Sequence, residues 1–507
     1  MSSLLRRFAA HAGADPERIA LRAGGLEIDY AGLCRRIAAT AVELRVSGIA
    51  AGDRLAFLGY NEPEVVELLA ACAEIGAMLV PLNFRLAAPE HQRILEDADA
   101  GLLVVGDGFE AHAQGFAGVR RLALASLRER VRAACAAAPS EPGAETGTRP
   151  AVAPGDDATG DQDRGCLLVY TSGTSGAPKG AIHSPAALLA NARAAWAAQE
   201  MRTTDHVLTL LPMFHVGGLC IQTLPALLLG ATVTLHGRFD ARAWLQDVER
   251  LRPTLSLLVP PVMKAIIEHP DFSRSDLSSL RLLMAGSSVV PVPLIEAFHA
   301  RGVPVGQVYG ATETGPVSIV LGRADAVRKA GAAGWPAEGV EVSLHDPAGA
   351  TVPDGAVGEI WLRAPNLARG YWHDADNAAF AGGWYRTGDL AHRDAEGCYY
   401  VVGRARDMIV SGGDNIYRAE IEQLLEEHPA VAEAAVVGMA HAHWGEVPVA
   451  AVVPAEPGAQ IDTRTLIDFL VGRLARFKLP HRIVVVDRLP KSALGKVQKA
   501  QLRDELR

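Results

Sequence analysis

Residues 171–180 read Thr-Ser-Gly-Thr-Ser-Gly-Ala-Pro-Lys-Gly, a run of hydroxyls and glycines that closes on a lysine. Glycines let backbone N–H groups approach an anion closely, hydroxyls add donors, and Lys179 adds a charge, so the run is equipped to hold a polyphosphate. Taken alone it fits a plain polar turn equally well. The common nucleotide loop ends in Gly-Lys-Ser/Thr. Here a proline precedes Lys179 and Gly180 follows it, which excludes that loop. Three other stretches carry side chains of related use. Residues 307–315, Gln-Val-Tyr-Gly-Ala-Thr-Glu-Thr-Gly, offer a ring that can stack on a base and a carboxylate that can hold a divalent cation. Asp389, in Thr-Gly-Asp at 387–389, can accept from two sugar hydroxyls, and Lys496 lies in a Gly-Lys near the C-terminus. An isolated aspartate or lysine is ordinarily just solvated, so these two gain meaning only from their context.

In order along the chain, these strings resemble the signatures of the adenylate-forming superfamily: acyl-CoA synthetases, stand-alone adenylation domains and luciferases. The resemblance covers nearly the whole chain. It implies nucleotide contacts from Thr171, Ser172, Gly173, Thr174, Ser175, Gly176 and Lys179 in the loop. It adds Ser287, Gln307, Tyr309, Gly310 and Ala311, with Tyr309 against adenine. Thr312 falls at the α-phosphate, Glu313 and Thr174 at Mg²⁺, Asp389 at the ribose and Arg404 at the nucleotide. Arg406 takes the hinge position, where Lys or Asp is more usual, and Gly412 and Gly413 resemble the segment lining the pantetheine tunnel of coenzyme A. The family usually has proline where this chain has Arg418, a change expected to be neutral for mechanism. Lys496 falls on the catalytic lysine, His215 in Pro-Met-Phe-His-Val-Gly-Gly borders the acyl pocket, and Trp444-Gly-Glu resembles a loop on the coenzyme A side.

The chemistry so implied is attack of a carboxylate on the α-phosphorus of ATP, release of pyrophosphate, and transfer of the acyl group from acyl-AMP to coenzyme A. Two anions must meet. At ~4 Å and an effective dielectric of ~20, each pair of unit charges costs about 4 kcal/mol. Lys179, Lys496 and Mg²⁺ on Glu313 are the expected offsets, and catalysis is then mainly positioning plus electrostatic stabilisation.

Those residues need a scaffold. Strand-like runs at 55–58, 101–105, 166–170, 206–211 and 231–235 alternate with helical stretches at 62–75, 185–199 and 242–251. Such alternation predicts a parallel-rich sheet covered by helices. Residues 133–165, rich in Ala, Pro, Gly and Thr, read as a long surface connection. From about 339 short strands separated by Gly-rich turns predict a β-rich subdomain to about 404. A small α+β unit follows over 407–507, with helices at 418–428 and 462–474 and strands at 432–439, 447–453 and 483–486. The expected architecture is therefore α/β: a large N-terminal AMP-binding domain over 1–404, a hinge at 404–407, and a small mobile C-terminal domain.

The net charge of −9 argues against nonspecific nucleic-acid binding, which needs a basic surface. No apolar run reaches the ~18 residues of a membrane helix. The nearest, 65–82, is interrupted by Glu67 and Glu74 and reads as a buried helix leading into a strand. The six cysteines form no CxxC pair, and reduced thiols in a cytoplasm are the simplest reading. His441-Ala-His443 has no third ligand nearby and reads as a polar turn rather than a metal site.

Two other readings remain. A stand-alone amino-acid adenylation enzyme usually places an acid opposite the substrate amine, and 214–217 holds none. Only 11 residues follow Lys496, too few for a fused carrier domain, so coenzyme A is the expected acceptor, with a separate carrier protein as the variant. A catalytically dead nucleotide-binding protein is the other reading, yet Lys179, Glu313, Asp389, Arg404 and Lys496 are all present. The segments expected to line the acyl pocket (215–219, 285–288, 309–311 and 315–317) are small and apolar, with no Lys or Arg for a second carboxylate. That favours a monocarboxylic acid, aliphatic or aromatic, with Gly286, Ser287 and Ala311 leaving room for it. The expected partners are this acid, ATP and coenzyme A, and a homodimer is one assembly the sequence permits.

Overall fold

The computed structural model describes residues 1–137, 164–171, 178–286, 290–374, 377–411, 414–441, 444–471, 473–474, 476–491 and 496–507. Among these the strands form four sheets. The first is ordered Arg120–Ala123, Leu102–Val105, Arg54–Leu58, Met78–Leu82, Leu167–Thr171, Lys179–His183. All its neighbours run parallel except the last pair, which is an antiparallel hairpin. The second has nine strands, with a parallel interior that includes His206–Thr209, Leu255–Leu258, Leu282–Gly286 and Val305–Tyr309. The α/β expectation holds, and most of the expected strands and helices agree within a residue or two.

Local chemistry explains several boundaries. Helix Pro185–Ala198 begins where the Ser184 hydroxyl accepts from the Ala187 N–H at 3.1 Å, with proline at the first helical position. Helix Pro63–Ile75 likewise starts on proline and stops on Gly76 at φ 84°. That helix is buried on every side, so its acids need partners. Arg36 Nε lies 2.6 Å from Glu67, and Arg128 Nε lies 2.9 Å from Glu64. Glu67, one of the charges that break the apolar run, thus joins Glu64 in a buried clamp on the neighbouring helix Tyr30–Val46.

Two expectations need correction. The connection at 133–165 does not begin at 133, because helix Leu124–Ala137 runs through its first five residues, burying Leu124, Leu127 and Val131; residues 138–163 lie outside the described set. The helix expected at 462–474 ends at Leu470, and the Asp462 carboxylate caps its start. His441 closes the long strand Val431–His441, and residues 442–443 of the expected polar turn lie outside the described set.

The third sheet is antiparallel, Glu341–His345, Gly358–Arg363, Tyr385–Arg393 and Tyr399–Arg404. The fourth pairs Val431–His441 with Gly445–Pro454 and adds Ile409–Ser411, Asp414–Ile416 and Arg482–Val485. Helices Arg418–Glu426 and Thr463–Leu470 pack on this sheet through Ile421, Leu425, Leu466 and Leu470, a core separate from those of the earlier sheets.

In that core burial pushes the Glu426 carboxyl up to about 7, with Glu422 and Glu433 adding to the shift and the Ala434 N–H opposing it. A carboxyl raised on folding contributes stability that is complete below its ordinary value near 4.5 and is lost as pH rises through 7. Glu426→Gln keeps an acceptor for Ala434 and removes the titration. Its advantage in melting temperature over the wild type should therefore grow from pH 5 to pH 8. The full shift is worth about 3 kcal/mol, and partial solvent contact reduces that to about 1–2 kcal/mol. A constant difference across that range would contradict the burial argument.

Candidate active site

Leu167–Thr171 and Lys179–His183 form a hairpin, and Thr171 pairs with Lys179 across it. Residues 172–177, holding Ser172, Gly173, Thr174, Ser175 and Gly176, lie outside the described set, as do Ser287, Gly412 and Gly413. The hairpin is held from its open side by residues 369–372. The Arg369 N–H donates to the Ile182 carbonyl at 2.9 Å, the Ile182 N–H to Gly370 at 3.1 Å, and the Trp372 N–H to Gly180 at 2.7 Å. Sequence reasoning does not single out this strap. Its signal was a glycine and two aromatic residues, Tyr371 and Trp372, inside a polar stretch.

The strap and the residues just after it bring Tyr371 and Asp374 to Lys179. Lys179 Nζ sits 5.0 Å from the centre of the Tyr371 ring and 3.5 Å from the Asp374 carboxylate. The Tyr371 hydroxyl donates to Glu313 Oε1 at 2.7 Å. Burial and the neighbouring Glu313 charge hold that phenol well above its ordinary range, so it remains a donor. Tyr371 thus joins the phosphate hairpin to the carboxylate of the second motif. A cavity of about 290 Å³ lies beside the strap, lined in part by Met78, Ile182, Arg369 and Asn377, and neither Glu313, Asp389 nor Lys496 lines it.

The second motif follows strand Val305–Tyr309 and folds into a single turn, Thr312–Thr314, with Thr312 and Glu313 buried. Gly310 is required by a close approach: a Cβ there would lie 2.1 Å from the Pro316 carbonyl oxygen. Gln307 donates its amide to the Ala332 carbonyl at 2.7 Å. Gly286 does not leave room for substrate. A Cβ on it would lie 2.5 Å from the Val308 carbonyl oxygen, so the space is filled by the next strand.

Sheet register sets the next pair. Asp389 and Arg404 are directly opposed on adjacent antiparallel strands. Arg404 Nε lies 2.8 Å from Asp389 Oδ1, and the Tyr309 hydroxyl donates to Asp389 Oδ2 at 2.8 Å. Burial and the Asp389 charge raise the Tyr309 phenol far above its ordinary range. A ring, a carboxylate and a guanidinium from three separate motifs therefore meet at one place.

His215 caps the short helix Val216–Gly218, and its Nδ1 accepts from the Gly217 N–H at 3.0 Å. The imidazole proton must then sit on Nε2. Burial, with a smaller contribution from Lys496, lowers this histidine to about 4, so it is a neutral Nε2–H donor at physiological pH. Beside it the Phe214 ring meets Phe84 edge-on, at 5.3 Å and 87°.

Lys496 comes from the far end of the chain. Its side chain keeps an open face, yet enough protein surrounds the ammonium for desolvation to lower its pKa. Arg404 lowers it further, while Asp389 and Glu313 oppose the shift. Lys496 thus lies within electrostatic reach of His215, Glu313, Asp389 and Arg404. The arrangement gathers cations and a neutral donor around two buried carboxylates, which suits the meeting of a carboxylate with a polyphosphate. Glu313 supplies a hard oxygen donor, and among the described residues no group of three His, Cys, Asp or Glu could hold a metal alone. A single carboxylate fits Mg²⁺ carried in with phosphate oxygens. Arg406 lies in the turn Ala405–Asp407, immediately after Arg404. At position 418 the guanidinium is buried and lies 2.7 Å from Asp407.

Residues 8–372 match the family described as AMP-binding enzyme, and residues 420–496 match the AMP-binding enzyme C-terminal domain. The chain is 45% identical to an indoleacetate–CoA ligase of Aromatoleum aromaticum, over 97% of this chain and 96% of that one. It is 40% identical to a feruloyl-CoA synthase of Amycolatopsis sp, over 96% of each chain. Among solved structures it resembles o-succinylbenzoate CoA synthetase from Bacillus subtilis in complex with the acyl-adenylate OSB-AMP, with a TM-score of 0.84 and 31% identity over 99% of this chain and 98% of that one. The same synthetase is also known with ATP and magnesium ion. With both family segments matched, and relatives at this identity spanning nearly the whole of each chain, the protein belongs to the AMP-binding enzyme family, among its carboxylate–CoA ligases.

Proposed function

We propose that the protein converts an aromatic monocarboxylic acid into its coenzyme A thioester by way of an acyl-adenylate. The observation that carries this reading is the convergence of Lys496 on His215, Glu313, Asp389 and Arg404. Asp389 receives the ribose hydroxyls, Tyr309 lies against adenine, and Thr312 faces the α-phosphate. Lys179 and the loop it closes hold the β- and γ-phosphates. Mg²⁺ on Glu313 neutralises phosphate charge. Lys496 steadies the charge that grows between the acid and the α-phosphate, while the His215 Nε2–H donates to an oxygen of the acid.

The aromatic preference rests on the names of the relatives and on the wall beside His215. That wall offers edge-on Phe84 and Phe214, and 215–219 carry no cation for a second carboxylate. Thioester formation with indole-3-acetate, ferulate, decanoate and 2-succinylbenzoate tests it. The aromatic monoacids should lead in kcat/KM by at least about tenfold, the scale of one well-placed apolar contact. A lead for decanoate or for the diacid would overturn the substrate class.

Between half-reactions the small C-terminal unit rotates about Arg406, withdraws Lys496 and presents the Gly412–Gly413 segment to coenzyme A. Proline fixes φ and removes an N–H. Arg406→Pro should therefore keep ATP–pyrophosphate exchange within a few-fold while thioester formation drops at least about 100-fold, about 2.7 kcal/mol in barrier. Equal loss in both steps, or none in either, would remove the hinge from Arg406. A homodimer is the assembly proposed with this reading, and sedimentation would report it.

A further inference from the structure

Arg418 opens helix Arg418–Glu426, and its side chain is 6% exposed. One arm of the guanidinium reaches Asp407, which ends the turn Ala405–Asp407 one residue after Arg406. The other arm lies 3.5 Å from the Val436 carbonyl oxygen, in the long strand Val431–His441. That carbonyl also faces Lys499 Nζ at 3.4 Å. The Val436 N–H donates to Glu422 Oε1 at 2.6 Å, and Lys499 pairs with the same carboxylate. Lys499 begins the last helix, Lys499–Glu505, three residues beyond Lys496. The peptide of Val436 is therefore the meeting point of the post-hinge turn, the first helix of the C-terminal unit and the helix that follows Lys496.

We infer that Arg418 is a positioning residue for adenylation: it clamps the turn after the hinge to the network that fixes the approach of Lys496. The pair holds geometry because losing Asp407 strands the buried Arg418 guanidinium as an uncompensated charge. A flexible link between turn and helix would let Lys496 drift relative to the pivot, and a misplacement of about 1 Å can cost on the order of 100-fold in rate. Thioester formation does not use Lys496 in the proposed cycle, so it should not need the clamp. The inference rests on that two-step cycle.

The test compares Arg418→Met, Arg418→Lys, Asp407→Asn and the Asp407→Asn/Arg418→Met pair in both half-reactions of the full-length enzyme. Arg418→Met should lower kcat for acid-dependent ATP–pyrophosphate exchange about tenfold, with KM for ATP within twofold. Thioester formation from supplied acyl-adenylate should stay within twofold. Asp407→Asn should match it, the pair should be no worse than either single change, and Arg418→Lys should recover most of the rate. If Arg418→Met fails to fold, Asp407→Asn at the more exposed partner carries the same comparison. Parallel loss in both half-reactions, multiplicative effects in the pair, wild-type exchange in Arg418→Met, or no recovery by lysine would each overturn the clamp. A wild type silent in both assays would instead overturn the functional reading beneath it.

Discussion

Replacing Lys496 with alanine should lower acid-dependent ATP–pyrophosphate exchange by about 10³-fold in kcat, yet leave thioester formation from supplied acyl-adenylate within a few-fold of wild type. The size follows from its place in the cleft. Removing one preorganised donor from a transition-state charge typically costs 10²–10³-fold, roughly 3–4 kcal/mol. Lys496 brings a full charge, is partly desolvated, and reaches both Glu313 and Asp389, so the upper end of that range applies. Its lowered pKa sets a pH dependence of its own. A lysine whose pKa falls loses its proton at lower pH than a solvated one, so the adenylation rate should decline on the alkaline side earlier than it would for an ordinary lysine. Arginine at 496 should move that decline upward if it supports any exchange. Loss of both half-reactions in Lys496→Ala would contradict the assignment of this residue to the first step alone.

The second large effect belongs to Glu313. This carboxylate is buried, accepts from Tyr371, and lies in reach of Lys496. Glu313→Gln keeps the shape and one acceptor oxygen for Tyr371 and removes the negative charge. Exchange activity should fall at least about 100-fold at saturating ATP, and added Mg²⁺ should restore part of it as the weakened site is filled by mass action. Tyr371→Phe separates holding from ligating. It removes a single hydrogen bond to a charged group, worth about 1.5–3 kcal/mol, and leaves the carboxylate in place. It should raise the Mg²⁺ concentration needed for half-maximal rate by roughly tenfold, with a smaller fall in kcat than Glu313→Gln. Identical Mg²⁺ titrations for Tyr371→Phe and wild type would show that the phenol does not orient this carboxylate.

What the sequence made legible follows the range over which its signals act. Tyr309, Asp389, Arg404 and Lys496 stand in short strings whose order along the chain resembles a known family, and the folded chain brings them together. Strand and helix positions were readable because period-2 and period-3.6 patterns are local. Tyr371 and Asp374 were not, since each acts on a residue far away in the chain, Glu313 and Lys179, and no local pattern encodes that pairing. The Arg418 ion pair is hidden for the same reason: as a lone departure from proline the residue carries no sign of Asp407. Gly286 looked like space in the sequence but is packing in the fold, because the width of a gap depends on the neighbouring strand. By composition residues 133–137 read as loop, yet they extend a helix whose apolar face is already anchored upstream.

The central claim is that these groups make an acyl-adenylate before any thiol enters. The most direct measurement is exchange of labelled pyrophosphate into ATP with an aromatic acid present and coenzyme A absent, in wild type and in Lys496→Ala. Acid-dependent exchange should appear in the wild type and disappear in Lys496→Ala. Acid-independent exchange, exchange that requires coenzyme A, or exchange that survives the loss of Lys496 would contradict it.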